Sequence, residues 1–191
     1  VPEADLETTC SPLVLNNSLL LNPCGLVAQS FFTDTYALNT AGSQINGATP
    51  SSTALDETDL IFTEESLFVQ PDGFDYVEVD NCSDACTFAT TCKCYEPNDG
   101  KKYHYYYPND DTTAYLYEMY PEHISPLDGV TDEHFKVWMS ISALPTFRKL
   151  YGKLEGPFKS GDKVVVDVKS LYDVKSFHST KSLVLTETYS L

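Results

Sequence analysis

The first half of the chain lacks positive charge. Residues 1–92 contain no lysine or arginine but 14 aspartate and glutamate residues, and all 12 basic residues of the chain follow them. An acidic surface repels phosphate backbones, so nucleic acid is not an expected partner. Two interpretations of the charge remain open, namely an ordinary solvated surface or an acidic face that matches a basic face on a partner.

Long hydrophobic runs are also missing. A membrane-spanning helix needs about 18 consecutive apolar residues, and no stretch of the sequence approaches that length. The first residues, 1–5, have neither the basic start nor the apolar core of a signal peptide. Either a signal was removed or the chain is a fragment, and we favour the fragment. Its 191 residues suffice for one domain.

The sequence contains no motif that supports catalysis. A glycine-rich phosphate loop, a nucleophile elbow and a His-Glu-x-x-His stretch are all absent. The four histidines are isolated, and none lies at metal-ligand spacing from another: His104, His123, His134 and His178. We therefore expect no catalytic residues, no cofactor and no bound metal, and an enzyme is the least supported class.

The cysteines are few but even in number, and they indicate an oxidising compartment. They are Cys10, Cys24, Cys82, Cys86, Cys92 and Cys94. Two Asn-X-Ser sequons, at Asn16 and Asn81, lie near them and point to glycosylation in the secretory pathway. The alternative is that the last four cysteines bind zinc as thiolates. Because Cys-x-Cys is an unusual zinc spacing, we favour disulfides.

The hydrophobic pattern predicts a mainly β fold with antiparallel, sandwich-like sheets, short helices and long loops. Residues 39–55 are small and polar, which predicts an exposed loop. Residues 131–133 could start a helical turn. Residues 26–32 form a buried element of ambiguous type. Predicted strands are residues 60–62, 67–69, 74–79 (half-buried), 135–141, 163–168 and 182–188.

Tyrosine is abundant in one tract. Eight of the 13 tyrosines fall between Tyr95 and Tyr120. Such rings can bind sugars or stack on bases, but they are also favoured in strands and cores. We favour packing over binding for this tract, and a core position over a ligand platform for Trp138, the only tryptophan.

Two longer motifs carry more information than composition. The first is NPCGLVAQSFFTDT at residues 22–35, and the second is FKVWM at residues 135–139, which continues as ALPTFRKLYG at residues 143–152. A third segment, FHSTKSLVLT, occupies residues 177–186. In this order they closely resemble the cell division control protein fifty family, the β-subunits of type-IV P-type ATPase phospholipid flippases.

The resemblance implies an extracytosolic domain between two membrane helices that lie outside this chain. Such a subunit has no catalytic activity; it binds the ATPase, helps it fold and leave the endoplasmic reticulum, and supports lipid transport. It would reside on the lumenal or exterior side of endoplasmic reticulum, Golgi or plasma membrane. The resemblance also implies a disulfide between Cys10 and Cys24, and a structural or interface role for Asn22, Pro23, Gly25, Trp138, Pro145, Thr146, Phe147, Arg148 and Lys149.

The sequence departs from the family pattern in three places. The family's usual glycosylated asparagine is replaced by Thr33, and the cluster of residues 82–94 follows the first motif, where the family's second cysteine group precedes it. The resemblance also implies that the family's first ectodomain strands are missing before Cys10.

Two alternatives stay open. Arg148 could form an internal ion pair with the acidic first half instead of contacting a partner. The whole chain could be a secreted or surface β-domain that binds another protein or a glycan through the tyrosine tract.

Overall fold

The computed structural model describes residues 8–45, 47–48, 50, 55–58, 60, 68–154 and 156–187. Its contacts divide the chain into two compact units, residues 1–31 with 55–156 and residues 32–54 with 157–191. The single-domain expectation for residues 1–191 stays a prediction. Within the described residues, no helix is long and apolar enough to cross a membrane.

The first unit contains two small sheets. Strands β1 (Leu15–Asn16) and β2 (Leu19–Asn22) form an antiparallel hairpin, and β7 (Thr113–Tyr115) pairs with β2 in parallel. The second sheet is antiparallel, with β6 (Tyr103–Tyr106) between β4 (Asp75–Glu78) and β5 (Lys93–Tyr95). The mainly β prediction is therefore confirmed, with one parallel pair that the sequence pattern did not indicate.

Short helices complete the first unit. Among the described residues they include α1 (Leu26–Gln29), α2 (Leu116–Met119), a 3₁₀ turn (Gly129–Thr131) and α3 (Glu133–Met139). The core brings together aromatic and aliphatic side chains from the tyrosine tract, α2 and α3, namely Phe31, Tyr105, Tyr107, Tyr115, Leu116, Tyr117, Ile124 and Phe135. The tyrosine tract thus packs in the core, as predicted.

The predicted strand at residues 135–141 is wrong, because residues Glu133–Met139 form α3. The helical start predicted at residues 131–133 explains why. The Asp132 side chain caps the helix and accepts a hydrogen bond from the Phe135 amide at 2.8 Å. Phe135, Trp138 and Met139, spaced by three and four residues, then contact one core. Phe135, Val137, Met139 and Ile141 are also apolar, and this alternation suggested a strand.

The second unit contains one two-stranded antiparallel sheet, β3 (Thr35–Leu38) with β8 (Val166–Lys169). A 3₁₀ turn (Lys175–Phe177) follows it. The predicted strand at residues 163–168 is confirmed over its second half. The predicted loop at residues 39–55 is only partly an exposed loop, because Ser43 is buried and Gln44 pairs with Lys163.

Three further strand predictions need comment. The strand at residues 74–79 exists as β4, but all four of its residues are exposed and not half-buried. Described residues 182–187 form no strand, although their β-branched composition predicts one. High β-propensity does not make a strand without a neighbouring ladder. Of the strands predicted at residues 60–62 and 67–69, residues 61, 62 and 67 lie outside the described residues, and residues 60, 68 and 69 are described but belong to no strand.

Candidate functional site

All six cysteines are joined in disulfides, and the pairs are Cys10–Cys24, Cys82–Cys94 and Cys86–Cys92. Zinc binding would require the four sulfurs of the last two pairs as thiolates, but in the structure they are joined in disulfides. They lie next to the β4–β6–β5 sheet, where Cys94 is the cross-strand neighbour of His104. The buried ring of His104 places Nε2 3.2 Å from the Cys82 carbonyl oxygen. The cluster therefore ties the loop after β4 to the sheet.

The first motif forms a turn around Cys24. Leu20, Leu21 and Asn22 pair with β7, so the sheet ends where Pro23 begins. The Gly25 amide then donates a 2.7 Å hydrogen bond to the Leu13 carbonyl. Gly25 is buried and has a φ of 73°, a conformation that L side chains rarely adopt. The motif thus closes the loop that the Cys10–Cys24 disulfide spans.

The structure brings the first two family motifs together although they are more than 100 residues apart. The Trp138 indole Nε1 donates a hydrogen bond to the Ser30 carbonyl. The rings of Phe31 and Phe135 pack at 5.9 Å between centroids. Trp138 is half-buried against the core, in agreement with its predicted core position. The first and second motifs therefore pack against each other.

The second motif continues into a loop that we call the clasped loop, residues 141–148. It begins after Ser140, where α3 ends, and Lys149 returns to the same point. The Lys149 ammonium donates hydrogen bonds to the Ser140 carbonyl oxygen and, at 2.6 Å, to the Ser140 hydroxyl. Partial burial lowers the pKa of Lys149. One side chain therefore closes both ends of the loop.

Every residue of the clasped loop is exposed, including Pro145, Thr146, Phe147 and Arg148. Phe147 packs against neighbouring side chains. Its ring centroid lies 6.4 Å from that of Trp138 and 5.8 Å from the Lys149 Nζ. Arg148 forms no ion pair with the described residues, so the internal pair with the acidic first half is not observed among them. Ile141 and Leu144 are also exposed; the sequence analysis placed Ile141 in a strand and included Leu144 in the second motif without giving it a role.

The two sequons lie at two different turns. Asn16 ends β1 at a two-residue turn in which Asn17 and Ser18 both have positive φ, as tight hairpins require. Asn81 is the first residue of a turn in which its backbone N–H donates a 3.0 Å hydrogen bond to the Asp84 carboxylate. Both asparagine side chains are exposed. Glycosylation at Asn16 and Asn81 stays a prediction.

Asp34 is a site that sequence reasoning did not single out. The residue is 3% exposed, and one carboxylate oxygen accepts hydrogen bonds from the backbone amides of Leu171 and Tyr172, both at 2.7 Å. The Lys181 ammonium lies 2.6 Å from the other oxygen. Burial acts to raise the pKa of Asp34, but the bonds from Lys181, Tyr172 and Leu171 together hold it below its usual value. The signals in the sequence are its place in the first motif and its position as the lone carboxylate among the aromatic residues Phe31, Phe32 and Tyr36.

One small cavity lies between Asn22, Gln70, Tyr107 and Gly129. Its volume of about 50 Å³ is enough for a few water molecules.

The comparisons agree with the motifs. The family model for LEM3 (ligand-effect modulator 3) family / CDC50 family matches residues 2–191. The chain is 30% identical over 187 residues to the phospholipid-transporting ATPase accessory subunit CRF1 of Saccharomyces cerevisiae, covering 95% of this chain and 38% of that protein. No solved structure matches the chain.

Two other relatives give the same result. The chain is 30% identical over 189 residues to the CDC50-related protein CDC50.1 of Toxoplasma gondii, covering 96% of this chain and 34% of the relative. It is 30% identical over 148 residues to cell cycle control protein 50A of Mus musculus, covering 76% of this chain and 34% of the relative. The chain thus spans little more than a third of the length of these curated relatives. Because the family model matches almost the whole sequence, the chain belongs to the LEM3/CDC50 family.

Proposed function

We propose that the protein is a non-catalytic accessory β-subunit of a phospholipid-transporting type-IV P-type ATPase, and that this chain is its extracytosolic part. The observation that carries the proposal is the family match over residues 2–191, together with relatives that are named accessory subunits of phospholipid-transporting ATPases. The subunit supports folding of the ATPase, its exit from the endoplasmic reticulum and lipid transport.

The disulfides support placement on the extracytosolic side. Three disulfides join all six cysteines, and disulfides persist in the lumen of the secretory pathway or outside the cell but rarely in the cytosol. Exposed sequons on two turns are compatible with the same compartment.

The buried polar groups support a non-catalytic role. Asp34 is bound by Lys181 and two backbone amides. The Tyr107 hydroxyl donates to the Pro126 carbonyl at 2.9 Å, and burial raises its pKa. These groups hold the fold together and are not free to transfer protons to a substrate.

The alternative of a glycan-binding surface domain is weakened by the same packing. Tyr105, Tyr107, Tyr115 and Tyr117 are buried in the first unit, so their faces cannot stack on a sugar.

The direct test is purification of the full protein from its native membranes in mild detergent, with bound proteins identified by mass spectrometry. We expect stoichiometric recovery of a P-type ATPase. An unrelated tagged membrane protein from the same cells serves as the control. Recovery of no such ATPase, under conditions that keep other membrane complexes together, would contradict the proposal.

Glycosylation provides a separate prediction. We expect Asn16→Gln and Asn81→Gln each to remove one enzyme-sensitive step of gel mobility from the secretory-pathway form, because both side chains are exposed at turns. Asn98→Gln, an exposed asparagine outside any sequon, is the matched control. For the second site, Ser83→Ala should abolish the step and Ser83→Thr should keep it. Unchanged mobility of Asn16→Gln or Asn81→Gln would show that the sequon concerned is unoccupied.

A further inference from the structure

The clasped loop is held at both ends. At its start, the Ser140 amide donates to the carbonyls of Lys136 and Val137, which fixes it to the last turn of α3. At its end, Lys149 binds the carbonyl and hydroxyl of the same Ser140. Closing a loop at one point removes much of its conformational freedom. The eight residues between are therefore an exposed loop with both ends fixed.

The chain beyond the loop is anchored as well. Lys153 and Asp56 exchange two backbone hydrogen bonds at 2.8 and 2.9 Å. The ring of Tyr151 packs 4.5 Å from that of His134 on α3. Gly152 lies so close to Leu55 that a Cβ would be 3.1 Å from the Leu55 Cβ. These contacts fix the chain after the clasped loop to the first unit.

Apolar side chains stand out from this fixed loop. Ile141 is 97% exposed and Leu144 is 68% exposed, and they lie on the same short excursion as Phe147, which is half exposed. Single exposed aliphatic residues are ordinary, but several within one eight-residue exposed loop are a candidate binding surface. A loop whose conformation is already fixed in the free protein loses little conformational entropy when it binds a partner.

The charge around the loop is opposite to that of the whole chain. Residues 134–154 contain no aspartate or glutamate and four cations, Lys136, Arg148, Lys149 and Lys153. The net charge of the chain is −16. Lys149 binds Ser140, and Lys153 donates to the Thr58 carbonyl at 2.9 Å. Of the four cations only Arg148 is exposed, so its guanidinium is the group best placed to meet an external carboxylate, which it can bind through two parallel hydrogen bonds.

We propose that the clasped loop is the element that docks on the ATPase, with Ile141 and Leu144 entering an apolar cleft of its extracytosolic surface and Arg148 pairing with a carboxylate beside that cleft. The inference rests on the proposed function. Apolar anchors beside an arginine are the usual composition of the residues that dominate binding energy at interfaces. A lipid surface is the poorer fit, because each cation near an anionic bilayer contributes only about 1 kcal/mol and a single loop buries little area.

The test uses the full protein coexpressed with the ATPase that it recovers. Leu144→Ser and Arg148→Glu change exposed side chains and should leave folding intact. The matched controls are Val69→Ser, which alters an exposed apolar residue, and Lys159→Glu, which reverses an exposed charge elsewhere. We expect each loop variant to lower recovery of the ATPase at least about tenfold, as loss of a dominant interface residue does. Arg148→Lys should fall between Arg148→Glu and the wild type, since it keeps charge without the planar fork. Limited proteolysis should give the same fragments for all variants.

Two results would overturn the inference in distinguishable ways. If the wild type recovers the ATPase and both loop variants recover the same amount, the clasped loop is not the docking element, although the proposed function stands. If the wild type recovers no ATPase, the proposed function and the inference fail together. Binding to vesicles of phosphatidylcholine and phosphatidylserine is the additional readout. Loss of vesicle binding by the loop variants with full ATPase recovery would assign the loop to the lipid surface and likewise overturn the inference.

Discussion

Asp34→Asn is expected to destabilise the second unit by about 3 to 5 kcal/mol, the usual cost of removing one member of a buried ion pair. The carboxylate is almost completely buried, and its donors include two backbone amides and the Lys181 ammonium. Asparagine keeps one acceptor oxygen but replaces the other with an NH₂ group that faces Lys181. The ammonium then loses its counter-charge, while its own contact to the Tyr172 carbonyl remains.

The same contacts make the second unit sensitive to acid. Because the pKa of Asp34 is lowered below the reference value of 3.8, its stabilising contribution is complete above that value. The contribution is lost as the pH falls below 3.8 and through the lower pKa of the folded state. We therefore expect the difference in stability between wild type and Asp34→Asn to be constant near neutral pH and to shrink below about pH 4.

The measurement is amide hydrogen exchange followed by mass spectrometry, which reports the stability of the segments within residues 32–45 and 156–187 separately from the first unit. The matched control is Asp167→Asn in the same unit. Asp167 is an exposed carboxylate that accepts hydrogen bonds from Asn39, so its loss should cost under about 1 kcal/mol. Equal exchange rates in the two variants would contradict the structural role of Asp34.

Gly129→Ala is the second large effect, with an expected loss of about 3 kcal/mol in the stability of the first unit. Gly129 has a φ of 49°, and an added Cβ would lie 2.5 Å from the Tyr107 hydroxyl oxygen and 3.0 Å from Gln70 Oε1. The positive φ itself costs an alanine about 1 kcal/mol. The remainder comes from displacing a buried hydroxyl from its partners.

Tyr107 cannot move aside cheaply. Its side chain is 3% exposed, and its ring packs 4.6 Å from Phe74 and 4.5 Å from Tyr115. Its hydroxyl donates to the Pro126 carbonyl and lies 3.2 Å from Gln70 Oε1. Shifting the ring would open a gap in a close-packed core and leave polar groups unpaired.

Gly100→Ala separates the two causes. Gly100 also has a positive φ, 82°, but an added Cβ there would have no neighbour within 4 Å. Urea denaturation of both variants should therefore show the backbone cost alone in Gly100→Ala and the backbone cost plus the steric cost in Gly129→Ala. Equal midpoints for the two variants would mean that the contact with Tyr107 contributes nothing.

Several features of this protein were predictable from the sequence because they depend on local chemistry. An even number of cysteines beside sequons predicted disulfides, and the alternating Phe-Asp-Tyr-Val-Glu-Val pattern predicted the strand that became β4. The density of tyrosine predicted packing, which Tyr105 and Tyr107 confirm. The motifs that resemble the family were recognisable as strings, and the family match over residues 2–191 confirms that resemblance.

Other features depend on partners that are distant in the chain, so only the tertiary structure decided them. Residues 135–139 are helical because Asp132 caps them and the core buries Phe135 and Trp138 on one face, whereas residues 182–187 have strand composition but no ladder. The same applies to Asp34, whose buried carboxylate is bound by the Leu171 and Tyr172 amides and by Lys181, all more than 130 residues away. Residue type and spacing determine which secondary structures a segment can adopt. Burial and strand or ion pairing then select one of them, because the free energy of both depends on residues that are distant in the sequence.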